Sequence, residues 1–536
     1  MFVNRILGCG LLALCAAAGA QPSGEAAVAA LPRVLLDTRM PLVQGRSWTV
    51  GPRDNLQTAL NRAQPGDEIV LQAGATYVGG FTLPLKTGAR MPGSGPVIVV
   101  RSSAMANLPE GKRVGPRDSS SLARLVTPQN GVEVLGTAAG TAGWRLIGLD
   151  VTAAPAVTQL GRLVRFGDGS QAQRTDAMVP QNIVLDRSYV HAGTTVDIRR
   201  CIDLHSGASA IIDSYVAGCH SNSDAQAIAG WNGPGPYKIV NNYLEASTEN
   251  VSFGGADPGI RDLVPSDIEI RHNHLFKPVA WKGVWLVKNL LETKSASRVL
   301  IEGNVFENNW QHGQGGSAIV LKSTNQDGAC PWCGTSDVTF RLNLIRNTGS
   351  GFAISGAPDP NVTRVHLQRL TVTDNIVVNI DVAPMFGGDG RAIMLVGDPS
   401  DVIFAHNTIL SPSNAAVLFA GPLETPPQRL VIRDNIIGGG AYGVKGPGLG
   451  GGNATIAAFM RGGAFTHNVV ILGSAAGYPE GNYYPQRVEM LGFVSPPSLD
   501  FRLSPMSALR GRGTDGKDIG ADANAVSAAI AGVVIP

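Results

Sequence analysis

Five of the seven Trp residues, and a concentration of charged and amide side chains, fall between residues 203 and 332, in a chain of which only 16% is charged. Four segments there share one pattern: Ile202-Asp203-Leu204-His205, Val251-Ser252-Phe253-Gly254, Leu291-Glu292-Thr293-Lys294 and Ile319-Val320-Leu321-Lys322. Stacked as equivalent strands with their apolar members inward, they place His205, Lys294 and Lys322 in one outward column and Asp203 and Glu292 in the next. Adjacent ammonium groups lower each other's pKa, which makes one lysine a usable general base and the other an anchor for an anion. Glu249 and Asn250 lie one coil earlier. Trp231, Trp281 and Trp310 are candidate stacking faces for sugar rings, with Asn232, Lys288 and His312 as polar partners. Glu245, Lys277 and Asn308 form a competing column. The simpler alternative makes the lysines solvated strand-face residues bridged by Glu292, and the Trp side chains core.

A recurring phrase positions these residues: apolar, two variable residues, Asn, one variable residue, apolar. It centres on Asn242, Asn273, Asn304, Asn343, Asn375, Asn407, Asn435 and Asn468, at intervals of 31, 31, 39, 32, 32, 28 and 33 residues. Upstream, Ser188 and Ser214 take the Asn slot. Short strands with a turn Asn in register from coil to coil predict an all-β, single-stranded parallel solenoid, because one coil cannot bury its own apolar face and a stack can. Asn suits the turn by tolerating left-handed backbone and by bonding to the amide of the next coil. The irregular interval and missing leucine spacing exclude leucine-rich repeats.

The predicted organisation is a leader at 1–20, an N-terminal segment with a capping helix at 21–66, the solenoid at 67–500, and a last coil and tail at 501–536. The leader has Arg5, an apolar run and Ala18-Gly19-Ala20, so cleavage after Ala20 and secretion or delivery to the periplasm are expected. Asp54 is the expected cap of a helix over 54–63. The Ala-rich stretch 521–534 is a candidate closing helix. Four cysteines remain beyond the leader (Cys201, Cys219, Cys330, Cys333), an even number that suggests two disulfides of open pairing, with Cys330-Pro331-Trp332-Cys333 as a loop staple. No later segment has the ~18 apolar residues of a membrane span. A net charge of +2 argues against a dedicated nucleic-acid binder. A monomer is expected.

The Asn-bearing coils and the phrase Leu56-Gln57…Ala63…Pro65-Gly66-Asp67 resemble right-handed parallel β-helix proteins of the pectate-lyase-like class. That class hosts lyases, hydrolases, esterases, epimerases and adhesins. The segment Glu292-Thr293-Lys294-Ser295, with a cation one coil on at Lys322, resembles the chondroitinase B and alginate lyase family. The resemblance implies Lys294 as base, Lys322 in an arginine's place and Ca2+ beside the substrate carboxylate, held by Glu249 and Asn250. Lys stands for Arg, however, and Val287 and Asn289 occupy places expected for calcium-holding acids. The leading expectation is β-elimination on a uronate polysaccharide. The alternatives are a glycoside hydrolase using Asp224 with Glu245, Glu249 or Asp257, and a non-catalytic carbohydrate-binding protein.

Overall fold

The computed structural model describes residues 25–534 apart from Thr87, Pro358 and Pro360; the expected leader lies outside the described residues. Its chain winds into three parallel sheets of 14, 13 and 12 strands. Each coil contributes one strand to each sheet. Tyr237–Val240, Tyr243–Ala246 and Glu249–Phe253 make one coil, and Ser266–Arg271, His274–Phe276 and Leu291–Thr293 make the next. The protein is therefore a parallel β-helix. Inward side chains such as Ile239, Ile270, Ile301, Phe340, Val372 and Phe404 form one continuous buried column.

The Asn ladder holds the turn between the first and second sheets through the expected amide bonding from coil to coil, but the Asn is not itself the left-handed residue. Asn242, Asn273, Asn304 and their successors are buried. Each turn's left-handed residue is the one before the Asn: Asn241, His272, Gly303, Leu342 and Asp374 all have positive φ. The Asn itself knits coils together. In Asn273, the backbone N–H donates to Asn304 Oδ1 at 2.9 Å, and Nδ2 donates to that oxygen at 3.0 Å and to Ile239 O at 2.8 Å. Ser188 and Ser214 occupy the same ladder, Ser214 Oγ accepting from Ser188 N and Asn242 Oδ1 from Ser214 N. At the far end Asn482, outside the repeating phrase, accepts from Asn468 N.

The ends depart from the expected boundaries. The first sheet starts at Ser47–Val50, before the helix, pairing with Glu68–Leu71. The helix is Leu56–Arg62, capped by Asn55, whose side chain accepts from Thr58 N; Asp54 accepts from Gly51 N instead. Leu56 and Leu60 close the first coil's core. The parallel strands end with Val469–Ile471, and a second helix, Asn453–Phe459, packs Ile456 and Phe459 onto the main core near that end. Asp500–Leu503 pairs antiparallel with Phe493–Ser495 rather than forming a coil. The tail helix Ala523–Ala529 runs back along the turns, where His272 Nδ1 donates to Ala529 O and Arg113 to Val533 O. The N-terminal segment lies along the first sheet, Ala27, Ala30 and Arg33 donating backbone N–H groups to Asp401, Asp337 and Asp267. The disulfides are Cys201–Cys219 and Cys330–Cys333.

Candidate active site

The third sheet presents the site. Loops inserted before and after its strands, at 254–265, 277–290 and 308–316, rise beside it. Between them lies a groove of 540 Å³, lined among others by Arg200, Asp224, Trp231, Ser252, Lys288 and Lys294. Strand register confirms the alignment of Val251, Leu291 and Ile319 and of Ser252, Glu292 and Val320. One strand was missing from it: Gln226–Gly230 lies between the strands of Asp203 and Ser252.

Glu292 is the centre of the cluster and is buried, 1% exposed. Its Oε1 lies 2.8 Å from Lys322 Nζ and its Oε2 3.2 Å from Lys294 Nζ. The carboxylate between the two lysines reverses the expected electrostatics. Burial alone would lower the Lys294 pKa; Glu292, backed by Glu249, outweighs it and raises the pKa above the ordinary lysine value. Burial opposes ionisation of Glu292 as well, but Lys294 and Lys322 hold its pKa down. Mutual depression of two lysines is therefore not the device here.

A second carboxylate set adjoins the first. Lys288 Nζ lies 3.0 Å from Asp224 Oδ1 and 3.5 Å from Glu249 Oε1. Glu249 Oε2 accepts from Gln226 Nε2 and Thr248 Oγ1, each at 2.7 Å. Burial, then the Glu292 charge, raises the Glu249 pKa. Asp224 is also penalised by burial, yet Lys288 takes its pKa below the usual range. Upstream, the Arg200 guanidinium lies 4.7 Å from the centre of the Trp231 ring, and burial lowers its pKa. Its nearest carboxylates are 3.6 and 3.8 Å away, at Asp203 and Asp224, so its donors are under-used.

Gly255 allows Lys294 into the groove. It has φ +96°, and a Cβ there would lie 2.7 Å from Lys294 Cδ.

Lys294, Lys322, Glu292, Lys288, Glu249 and Trp231 thus gather at one place, and the remaining expected site residues do not. His205 is fully buried: Nε2 meets Asp203 at 3.0 Å, and Nδ1 accepts from the backbones of Trp231 and Asn232, so it supports Trp231 from below. Asn232 is buried too, donating to Asp168 O and Gln173 O and accepting from Ile260 N, which ties loops together. Glu245 faces out from the second sheet, held by Tyr243 OH and Gly218 N. Lys277 is buried in a turn, its ammonium donating to Ala246 O, Ser247 O, Thr248 O and Asn250 Oδ1. Burial pushes its pKa down to about 7. Trp281 and Trp310 pack with Val287 under the loops and offer no stacking face. His312 sits on an exposed loop against Trp285 O.

Asn250 turns away from the groove, spending its amide on Leu244 O, Phe276 O and Lys277. Among the described residues no three His, Cys, Asp or Glu side chains gather as a metal cluster. The groove carboxylates Asp224, Glu249 and Glu292 already face Lys288, Lys294 and Lys322, and this charge-matched donor set does not fit calcium. Arg199, Arg200 and Gln226 line the groove and carried no signal in the strand alignment, because Arg199 and Arg200 precede the four-residue frame that starts at Ile202 and Gln226 lies on the strand missing from it.

No family model matches the chain, and no curated protein matches it. Among solved structures it is similar to an alginate lyase from Paenibacillus sp. str. FPU-7, at 14% identity and TM-score 0.38 over 64% of this chain and 97% of that one. It is also similar to a mannuronic acid-specific polysaccharide family 6 lyase from human gut microbiota, at 14% identity and TM-score 0.43 over 86% and 92%. A third is the pectate lyase Pel9A, at 11% and TM-score 0.37 over 89% and 96%.

Proposed function

We propose that the protein is an exported polysaccharide lyase that cleaves a uronate-containing polymer by β-elimination. The observation that carries this reading is the Lys294 ammonium in an open groove, with Lys322 on the same carboxylate, Glu292, and Lys288 beside them on Asp224 and Glu249. In the reaction, neutral Lys294 takes the proton at C5 and the C4–O bond breaks. A C4=C5 double bond forms, the departing oxygen takes a proton from solvent to become a hydroxyl, and Lys294 returns its proton to solvent. Lys288 and Lys322 neutralise the uronate carboxylate and so stabilise the enolate-like charge that builds as C5 loses its proton. Because Glu292 keeps Lys294 charged, the reactive amine is a minor form at neutral pH and the rate climbs with alkalinity.

A second reading rests on the split between Glu249, whose pKa is raised, and Asp224, whose pKa is lowered, on one shared lysine. Such a pair is the acid and base of a glycoside hydrolase. Glu245 and Asp257 do not serve it: Glu245 is on the second sheet, and Asp257 is held in a loop by Asn325 and Ala329 N. Purified protein is incubated with pectate, alginate, glycosaminoglycans and neutral glucans, following the ultraviolet absorbance of unsaturated uronate together with reducing ends. Both signals rise for a lyase. Reducing ends alone select the hydrolase, and binding without either product selects a carbohydrate-binding protein.

A further inference from the structure

The outward column along the third sheet changes character at the lysine pair. Read coil by coil, residues in direct register run Asp203, Ala229, Ser252, Glu292, then Val320, Ala353, Met394, Leu418, and end at Lys445, whose ammonium donates to Leu449 O. On the Glu292 side the groove carries Arg199, Arg200 and Lys288. Past Lys322 lies a cavity of 340 Å³ floored by Val320, Ala353, Met394 and Val396 and lined as well by Gln314, Ser317, Ser355 and Asp389. Lys322 is the one cation among the described residues lining that cavity. Arg391 nearby is spent on Asp389 at 2.9 Å. In the cationic half Arg200 makes only long ion pairs, at 3.6 and 3.8 Å, whereas the other half has partly exposed apolar side chains at Ala353, Met394 and Leu418.

A polymer lying along the axis meets both halves, since the coil spacing of ~4.8 Å is close to the length of one pyranose unit. We infer that the substrate is an acidic heteropolysaccharide in which the uronate bound by the cationic half is followed, toward Leu418, by a sugar presenting a methyl group. That methyl comes from a 6-deoxy sugar or an O-acetyl ester; either fits a floor whose exposed surface is mostly apolar and which holds a single cation, Lys322, for a carboxylate. The inference rests on the lyase reading for the cleavage point, and on the register alone for the floor's preference.

The test compares kcat/KM, from unsaturated uronate absorbance, on a homopolymeric uronate, an O-acetylated acidic heteropolysaccharide, the same polymer after mild alkaline deacetylation, and one carrying 6-deoxy sugars beside uronates. The methyl-bearing polymers are expected to exceed the homopolymer by roughly tenfold, the usual discrimination from burying a small apolar group. Loss of the advantage on deacetylation assigns the ester; its persistence with the 6-deoxy polymer assigns the deoxy sugar. Met394→Lys, or Leu418→Lys should the first fail to fold, is expected to move the preference toward the homopolymer. Equal or better use of the homopolymer by the unaltered enzyme overturns the inference and leaves the lyase reading intact. Calorimetric binding of the same oligosaccharides to Lys294→Ala separates the two claims: a methyl preference in binding without elimination by the unaltered enzyme supports the floor and sinks the lyase, and no preference in binding overturns the floor.

Discussion

Replacing Glu292 by Gln removes the charge that holds Lys294 as an ammonium while keeping the side chain's size. The pair is 3.2 Å apart and Lys294 is 25% exposed. Two unit charges about 4 Å apart interact by about 1 kcal/mol in bulk water and about 4 kcal/mol at the effective dielectric of a protein surface. At about 1.4 kcal/mol per pH unit, the Lys294 pKa falls by roughly 1 to 3 units in the variant. If neutral Lys294 is the base, log kcat/KM rises with pH and bends at that pKa. The bend lies above the ordinary lysine value of ~10.4 in the unaltered enzyme and roughly 1 to 3 units lower in Glu292→Gln. The assay is initial-rate elimination between pH 6 and 11, with circular dichroism confirming the fold at each pH. A bend that stays in place, or moves to higher pH, refutes the assignment of Lys294 as base.

Lys277→Met is expected to lower the thermal midpoint strongly, by roughly 3–5 kcal/mol of stability, because four buried oxygens lose their donor. At a temperature where the variant stays folded, its KM should be unchanged, as measured on the preferred polymer. Asn375→Ala breaks the ladder in mid-stack, where the side chain bonds to Phe340 O and Asn407 and accepts from Asn343. It should cost about 2–4 kcal/mol by denaturant unfolding. Excess chelator is expected to leave elimination rates unchanged, and a loss restored by calcium would contradict neutralisation by lysines. Arg200→Ala is expected to raise KM for uronate oligomers with kcat nearly unchanged, by roughly tenfold for the loss of one charge-assisted contact.

The solenoid was legible because its constraint repeats. Every coil needs an inward apolar residue and a buried turn amide, so Asn242 to Asn468 announce the stack, and Ser214 can stand in because its hydroxyl accepts the same backbone N–H. The ends were less legible. Asn453–Phe459 and the antiparallel pair at 493–503 occur once each, with no period to reveal them. At the site, register placed Glu292, Lys294 and Lys322 together, since Lys294 and Lys322 fall in one column and Glu292 in the next on the same face. Residue type alone misled for Lys277, Asn232, Trp281 and Trp310, which carry the chemistry of ligand binding but spend it on carbonyls and loop packing. A charged or aromatic residue beside a long loop is as useful for holding that loop as for holding a sugar. The electrostatic sign at Lys294 followed from the simpler alternative, in which Glu292 bridges the two lysines, and not from the reading that had the ammonium groups depress each other.

The most direct measurement is the product of the reaction itself, from the unaltered protein and from Lys294→Ala, on the panel of acidic polymers. The account predicts unsaturated uronate absorbance rising in step with reducing ends for the unaltered protein, and loss of both by at least about a hundredfold in the variant. Reducing ends without the absorbance, or full elimination by Lys294→Ala, would contradict it.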